Sequence, residues 1–175
     1  MASKETPAKL NPEIKDRVNQ KLLNFISYKL RSEQEITQRL NSYLSRYKSL
    51  SKKDKDELMA ELLENLRRNR LLDDAYFSQS FVLQKINSPK PASRQQMKKF
   101  LYNKGIPKDL IDEALKLYSS QQEEVKLDQE ARKKLSFLRG LQPLQKKKKL
   151  YDYLARKGYS YNKIRTAVDR VMTEE

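Results

Sequence analysis

Two short stretches of this 175-residue chain follow the same pattern at a spacing of 53 residues. Residues 101–115 read LYNKGIPKDLIDEAL, and residues 154–168 read LARKGYSYNKIRTAV. Each stretch has a lysine–glycine pair between two segments with helical spacing of apolar residues, although the whole chain contains only three glycines. Glycine readily adopts the left-handed conformation that commonly ends a helix. The pattern therefore predicts a repeated pair of helices joined by a glycine turn.

The residue after each glycine is apolar, as this type of helix end requires. Ile106 is expected to pack back on Leu101 in the first copy, and Tyr159 on Leu154 in the second. A proline or a serine comes next, and both residues favour the start of a new helix. The turn is thus predicted to end one helix and to begin the next.

A third and weaker copy of the pattern lies upstream. Ser32 followed by Glu35 has the sequence of a capping box, and Ile36 and Leu40 follow at the same spacing as the apolar residues after Ser93. This copy lacks the glycine and has a longer link. Repeats that cannot bury their apolar faces alone stack on their neighbours. The sequence therefore predicts an all-α fold, an elongated and curved array of tandem three-helix repeats with about nine helices.

Local signals divide the chain into a flexible N-terminus and three repeats. The glycine and proline counts are low, which favours helix throughout, and no segment has the pattern of a strand. The predicted divisions are residues 1–10 for the flexible N-terminus, 11–71 for a divergent first three-helix repeat, 72–119 for the second and 120–175 for the third.

Several helix ends are predicted from capping residues and helix breakers. Asn11–Pro12 has the sequence of a helix start, and Leu30 is expected on the apolar stripe of that first helix. Asp73–Asp74 is expected to supply the N-terminal cap of the fourth helix, which is favoured over a catalytic or metal-binding carboxylate pair. Gly140 is expected to end a long helix over residues 122–139.

Four consecutive lysines at residues 146–149 sweep about 300° around a helix, so they cannot share one side. Lys147 falls within the predicted buried stripe, so either the helix begins near it or its side chain reaches out to solvent. Lys148, Asp152 and Arg156 are spaced for ion pairs between successive turns. The buried stripe of this helix is predicted to contain Leu144, Leu150, Tyr151 and Leu154.

The chain carries 38 lysines and arginines against 23 acidic residues, a formal net charge of +15. Such an excess predicts a polyanionic partner, either nucleic acid or an acidic protein surface. We favour this interpretation over a lysine-rich surface that is only solvated. The basic residues concentrate around the glycine-linked helix pairs, where an exposed tyrosine could also stack on a base. The residues predicted to bind the partner are Lys98, Lys99, Tyr102, Lys104, Lys148, Lys149, Arg156, Lys157, Lys163 and Arg165.

The composition argues against an enzyme. The chain has no histidine and no cysteine, so the commonest general base and the thiolate and imidazole metal ligands are absent. No catalytic residue, cofactor site or metal site is predicted. No apolar run approaches the roughly 20 residues that cross a bilayer, and the N-terminus lacks the apolar segment of a secretory signal. We therefore expect neither a secretory signal nor a membrane partner.

Two segments, NRLLDDAYFSQSFV and ARKGYSYNKIRTAV, resemble the RecX family of recombinase regulators. The resemblance extends from about residue 22 to the end of the chain. The family often has a glycine before its Leu-Asp-Asp joint, where Arg70 and Leu71 stand here. The matching positions are Leu72, Asp73, Asp74 and Phe77 in the first segment, and Lys157, Gly158, Tyr159, Ser160, Ile164 and Ala167 in the second.

The resemblance implies a cytoplasmic, monomeric protein that lies along the groove of the RecA–DNA filament. Such proteins restrain strand exchange, ATP hydrolysis and coprotease activity by blocking filament extension or promoting disassembly. DNA would lie nearby or be bound weakly without sequence specificity. Two alternatives remain open at this point. One is a sequence-independent nucleic-acid-binding helical protein, since helix pairs joined by a glycine turn have the outline of a helix-turn-helix. The other is an adaptor for an unknown acidic partner.

Overall fold

The structure, a computed structural model, describes residues 12–174 and therefore leaves Asn11 and the predicted flexible N-terminus outside the described residues. The described residues form nine α-helices and no strand, which confirms the all-α prediction. The chain divides into two compact units, one ending at Asp74 and the other beginning at Ala75. None of the described helices is both long and apolar enough to cross a membrane.

The helices have the order and number expected of three successive helix triplets. In the first unit they are α1 (Pro12–Ser27), α2 (Glu33–Leu44) and α3 (Lys52–Arg68). The helices that follow are α4 (Asp74–Asn87), α5 (Arg94–Asn103), α6 (Lys108–Lys116), α7 (Ser120–Ser136), α8 (Pro143–Arg156) and α9 (Tyr161–Thr173).

Buried apolar side chains form three clusters, one for each helix triplet. The first extends from Val18 to Leu72, the second from Phe77 to Tyr118 and the third from Leu127 to Val171. Each triplet thus buries its own apolar stripe, which is what a repeated supersecondary unit requires.

Serine capping boxes begin four of the described helices. In each box the serine hydroxyl accepts a hydrogen bond from the third helical N–H, and the residue at that position accepts one in return from the serine N–H. The box predicted at Ser32 is confirmed. The pairs are Ser32–Glu35, Ser51–Asp54, Ser93–Gln96 and Ser119–Gln122.

Both predicted glycine turns are confirmed. Gly105 has a φ of 75°, and the N–H of Ile106 donates to the carbonyl of Leu101 at 3.2 Å. The second turn repeats this bond at 3.3 Å between Tyr159 and Leu154, and its glycine has a φ of 78°. All four of these apolar side chains are buried. The turns therefore end α5 and α8 in the way that the repeated sequence predicts.

The second glycine turn also packs closely against the start of α5. The hydroxyl of Ser93 donates to the carbonyl of Lys157 at 2.6 Å. A Cβ atom on Gly158 would lie 3.0 Å from that hydroxyl oxygen and 3.3 Å from Cβ of Gln95. This position thus requires glycine for two reasons, the positive φ and the close approach of another helix.

Two carboxylates accept hydrogen bonds from the first N–H of a helix other than their own. Asp74, expected to cap α4, accepts from the N–H of Glu33 at the start of α2 at 2.8 Å. Burial raises the pKa of Asp74, and this hydrogen bond partly offsets the effect. Glu123 of α7 likewise accepts from the N–H of Arg94 in α5 at 2.7 Å. Both bonds satisfy helix-start donors that have no partner within their own helix.

Two predicted helix details are wrong. Leu30 lies beyond the end of α1 and is 51% exposed, because the capping box at Ser32 requires an extended backbone before α2. Gly140 has a positive φ but does not end α7, which stops at Ser136. Leu138 donates its N–H to a carbonyl only three residues back and turns its side chain into the core, so the helix tightens and ends earlier.

Arg70 occupies a backbone conformation that normally belongs to glycine. Its φ is 56°, the only positive value of a non-glycine among the described residues. The N–H of Leu71 donates to the carbonyl of Leu66 at 2.9 Å, the same six-residue closure that follows α5 and α8. Arg70 thus stands at the joint where the RecX resemblance leads us to expect glycine.

Replacing Arg70 with glycine is expected to stabilise the first unit. The left-handed conformation costs a non-glycine residue about 1–2 kcal/mol, and glycine removes this cost. Glycine also loses about 0.5–1 kcal/mol more chain entropy on folding, which offsets part of the gain. The net gain of about 0.5–1 kcal/mol should raise the melting temperature of this unit by roughly 4 °C in calorimetry. The matched control is Arg68→Gly within α3, which should lower the melting temperature. A lower melting temperature for Arg70→Gly would contradict the assignment.

Candidate binding surface

On α5 two of the predicted residues are exposed, and the lysine that follows this helix lies beside an aromatic ring. Lys99 is exposed, and Tyr102 is 73% exposed. Lys104 follows α5, with its Nζ 5.6 Å from the ring centroid of Phe100. That ring stacks in turn on Phe81, with centroids 4.2 Å apart. Lys99 and Tyr102 therefore face solvent, whereas the Lys104 side chain covers an aromatic pair.

Two of the predicted binding lysines already hold a carboxylate of this chain. Lys98 of α5 pairs with Asp112 of α6 at 3.0 Å. Lys163 of α9 pairs with the buried Glu123 of α7 at 2.6 Å, and the same carboxylate accepts from α5 as described above. These lysines connect helices, so a partner that bound them would have to compete with an existing ion pair.

A third predicted lysine, Lys157, belongs to a small network around Tyr153. The phenol of Tyr153 donates a hydrogen bond to Glu130, and Lys157 lies 3.7 Å from the same carboxylate. The Nζ atoms of Lys134 and Lys157 lie 5.3 and 5.4 Å from the Tyr153 ring centroid. Burial, followed by the hydrogen bond to Glu130, raises the pKa of Tyr153 to about 12. The phenol therefore stays protonated and remains a donor at neutral pH.

A basic groove lies between α7 and α8, and we call it the α7–α8 groove. Its lining residues are Lys134, Leu138, Lys149, Asp152 and Arg156. The groove thus holds three cations and one carboxylate. None of the three cations lies within 4 Å of a carboxylate among residues 12–174, so their charge is not consumed by ion pairs within the chain.

The sequence prediction of paired charges on α8 is wrong. Neither Lys148 nor Arg156 lies within ion-pair distance of Asp152 in the described structure. Exposed pairs of this kind gain little Coulomb energy and lose side-chain freedom. Leaving these charges unpaired therefore costs the fold little stability. Lys148 is exposed beside the groove.

Two further expectations for α8 need correction or completion. Leu144 is 81% exposed, because it lies about 80° around the helix from Leu154 and about 120° from Leu150. Lys147 lies well inside α8, which begins at Pro143, and pairs with Asp169 of α9 at 2.8 Å. The hydrogen bond to Asp169 raises the pKa of Lys147. Lys147 therefore reaches out of the apolar stripe toward a neighbouring helix.

Arg165 does not line the α7–α8 groove. It is exposed on α9, near the pair formed by Tyr151 and Tyr161, whose ring centroids are 5.8 Å apart. Burial raises the pKa of Tyr151, and the charge of Arg165 opposes that rise. The ten predicted residues therefore do not form one continuous surface, but Lys149 and Arg156 do meet.

Sequence reasoning missed Lys134, which completes the α7–α8 groove. It lies in the basic last turn of α7, a helix that reads as a solvated charged segment. The available signal was the segment KKLSFLR, in which basic residues accompany the apolar residues that end the helix.

No group of three acidic side chains within residues 12–174 is arranged to hold a metal ion.

Comparison with known proteins gives a consistent result. A family model described as RecX, third three-helix domain, matches residues 122–168. Regulatory protein RecX of Chlorobaculum tepidum is 38% identical over 127 residues, covering 72% of this chain and 76% of that protein. The RecX protein of Prosthecochloris aestuarii is 33% identical over 67% of this chain and 75% of its own length.

Solved structures agree at the level of the fold. The crystal structure of RecX from Lactobacillus salivarius superposes with a TM-score of 0.75 at 23% identity, and the match covers 91% of this chain and 97% of that one. A second crystal structure of regulatory protein RecX also gives a TM-score of 0.75, at 22% identity.

Proposed function

The chain belongs to the RecX family, and from that premise we propose that it binds the RecA–DNA filament and mostly inhibits its recombinase, ATPase and coprotease activities. Its relatives carry the name regulatory protein, which agrees with a role as regulator. In this proposal the chain acts in the cytoplasm as a monomer and uses no cofactor.

The observation that carries the proposal is the α7–α8 groove, which holds three cations without a carboxylate partner within residues 12–174. A net positive groove of this kind attracts acidic protein surfaces and phosphates. A filament of RecA on DNA offers both. The cations are lysines and an arginine without any companion group placed to read base edges, so contact with DNA would be independent of sequence.

The predicted residues divide into three proposed roles. Lys148, Lys149 and Arg156, joined by Lys134, would be the main contacts, because none is held in an ion pair. A second set, Lys99, Tyr102, Lys104 and Arg165, would add contacts on neighbouring exposed surfaces. The remaining residues, Lys98, Lys157 and Lys163, would support the helices and would meet the partner only beside their existing carboxylates.

The test is ATP hydrolysis by RecA assembled on single-stranded DNA. We expect the rate to fall at fewer than one chain per RecA subunit, because blocking extension or promoting disassembly affects many subunits at once. An unchanged rate at equimolar protein, with binding to the filament absent in co-sedimentation, would contradict the proposal. A chain unfolded by heat serves as the control for nonspecific polycation effects.

A free-standing nucleic-acid-binding role is the alternative, favoured by the exposed Lys99 and Tyr102 on α5. It predicts strongly salt-dependent binding to bare DNA and no effect on RecA. The second helices of the two glycine-linked pairs are not both basic, since α6 reads KDLIDEALK and carries three acidic residues against two basic ones. This difference makes the filament the better-supported target.

A further inference from the structure

A separate cluster of aromatic and basic side chains lies in the first unit, between α1 and α2. It lines a shallow hollow of about 350 Å³, a size within the range of small-ligand sites. We call it the Phe25 hollow. Its aromatic rings belong to Phe25, Tyr28 and Tyr43, and its cations to Lys21, Arg31 and Arg39.

The arginines lie over the aromatic rings. The guanidinium carbon of Arg31 is 4.0 Å from the ring centroid of Phe25, and that of Arg39 is 4.5 Å from the same centroid. Arg39 also lies 5.9 Å from the centroid of Tyr43. Planar guanidinium groups in this position hold the rings in place and leave N–H donors at their edges.

The charge of the hollow is only partly balanced within the chain. Arg31 pairs with Glu35 at 3.6 Å, but its Nε is buried without a hydrogen-bond acceptor among the described residues. Arg39 and Lys21 have no ion-pair partner within residues 12–174. Among the described residues, no carboxylate lines the hollow itself. The site therefore offers an anion one buried donor without an acceptor, two exposed cations and a net positive charge.

Tyr28 is the exposed one of the three aromatic side chains that line the hollow. It lies in the link after α1 and is 88% exposed, although a tyrosine ring gains free energy when it is covered. An exposed ring beside arginines and lysine matches the pattern of single-strand binding sites, in which bases stack on aromatic rings while cations follow the phosphates.

We propose that the Phe25 hollow binds single-stranded nucleic acid, with a base stacked on Tyr28 and the adjacent phosphates on Lys21 and Arg39. A duplex fits less well because its bases are already stacked on one another. An acidic peptide would satisfy the arginines but would leave the exposed ring without a partner. The proposal concerns the first unit alone and does not depend on the contact between the α7–α8 groove and RecA.

The direct experiment uses tryptophan fluorescence, because the chain contains no tryptophan. Tyr28→Trp is mixed with an oligothymidylate of about 15 nucleotides, a length that spans a typical single-strand site. Stacking should quench the emission. The control Leu144→Trp, at a position 81% exposed in the second unit, should show much less quenching. Equal quenching at both positions, or binding without quenching at position 28, would overturn the proposal.

Affinity measurements on non-fluorescent variants complete the test. Tyr28→Ala should weaken oligothymidylate binding about tenfold, whereas Tyr28→Phe should bind like the parent protein, since stacking requires only the ring. Arg39→Gln should reduce the slope of log affinity against log salt by about 0.7. Lys52→Gln makes the same charge change on α3 and should leave the affinity unchanged. Displacement of the strand by poly-glutamate at equal charge would instead identify a peptide site.

Discussion

Changing Lys148, Lys149 and Arg156 together to glutamate is expected to abolish most inhibition of RecA. The change reverses three charges at one surface, so attraction to an acidic partner becomes repulsion. Like charges brought together at an interface cost several kcal/mol, and a loss of at least about 100-fold in affinity for the filament follows. The measurement is the concentration of the chain that halves the ATPase rate of RecA on single-stranded DNA.

The same triple variant should keep its helical content and nearly its full melting temperature. None of the three side chains forms an ion pair within residues 12–174, and all three are exposed. Surface substitutions of this kind usually change stability by less than about 0.5 kcal/mol each. Loss of the fold would mean that these residues have a structural role, which contradicts our assignment.

A matched variant separates local contact from total charge. Lys48, Lys52 and Lys55 lie in the first unit, have no ion-pair partner in the described structure and can be changed to glutamate together. This control makes the same six-unit change in net charge. It should inhibit RecA almost as well as the parent protein. Equal loss of inhibition in both triple variants would show that net charge, and not the α7–α8 groove, controls binding.

Replacing Gly158 with alanine is expected to destabilise the second unit clearly, although it adds only one methyl group. Its φ of 78° costs a non-glycine residue about 1–2 kcal/mol. Alanine loses about 0.5–1 kcal/mol less chain entropy than glycine on folding, so the net backbone cost is about 0.5–1 kcal/mol. The new Cβ would also lie 3.0 Å from the hydroxyl oxygen of Ser93, which donates to the Lys157 carbonyl. Disturbing that hydrogen bond adds about 1 kcal/mol. A total of about 1.5–2 kcal/mol should lower the melting temperature by roughly 8 °C.

Gly140→Ala is the natural control for this substitution. Gly140 has a similar φ of 84°, but a Cβ atom there would meet nothing within 4 Å. Only the net backbone cost of about 0.5–1 kcal/mol should remain. The difference between the two alanine variants in calorimetry therefore reports the packing of the α8–α9 turn on α5. If both variants lost the same stability, that packing would contribute nothing.

The features that the sequence predicts well depend on residues close together in the chain. The capping box of Ser32 and Glu35 and the turns at Gly105 and Gly158 each need only a few neighbouring positions, whose backbone requirements are strict. Arg70 shows the limit of such reasoning. Its positive φ is imposed by the closure that follows α3, and an arginine gives no local sign of it.

The candidate site was harder to predict because it depends on helix packing. Lys134 meets Lys149 and Arg156 only because α7 lies beside α8, and nothing in the local sequence fixes that arrangement. The same reason applies to Lys163. The sequence suggests that its charge is available for binding, but in the structure it pairs with Glu123 of α7. Charge patterning indicates a polyanionic partner, but only the packed helices distinguish free cations from paired ones.

Lysine footprinting gives the most direct test that the α7–α8 groove contacts the filament. The chain is acetylated briefly, alone and with RecA assembled on single-stranded DNA, and modification at each lysine is measured by mass spectrometry. We predict slower acetylation of Lys134, Lys148 and Lys149 in the complex, with Lys48 and Lys52 unchanged. Full reactivity of the three groove lysines, in a sample where co-sedimentation shows the chain bound, would contradict the proposal.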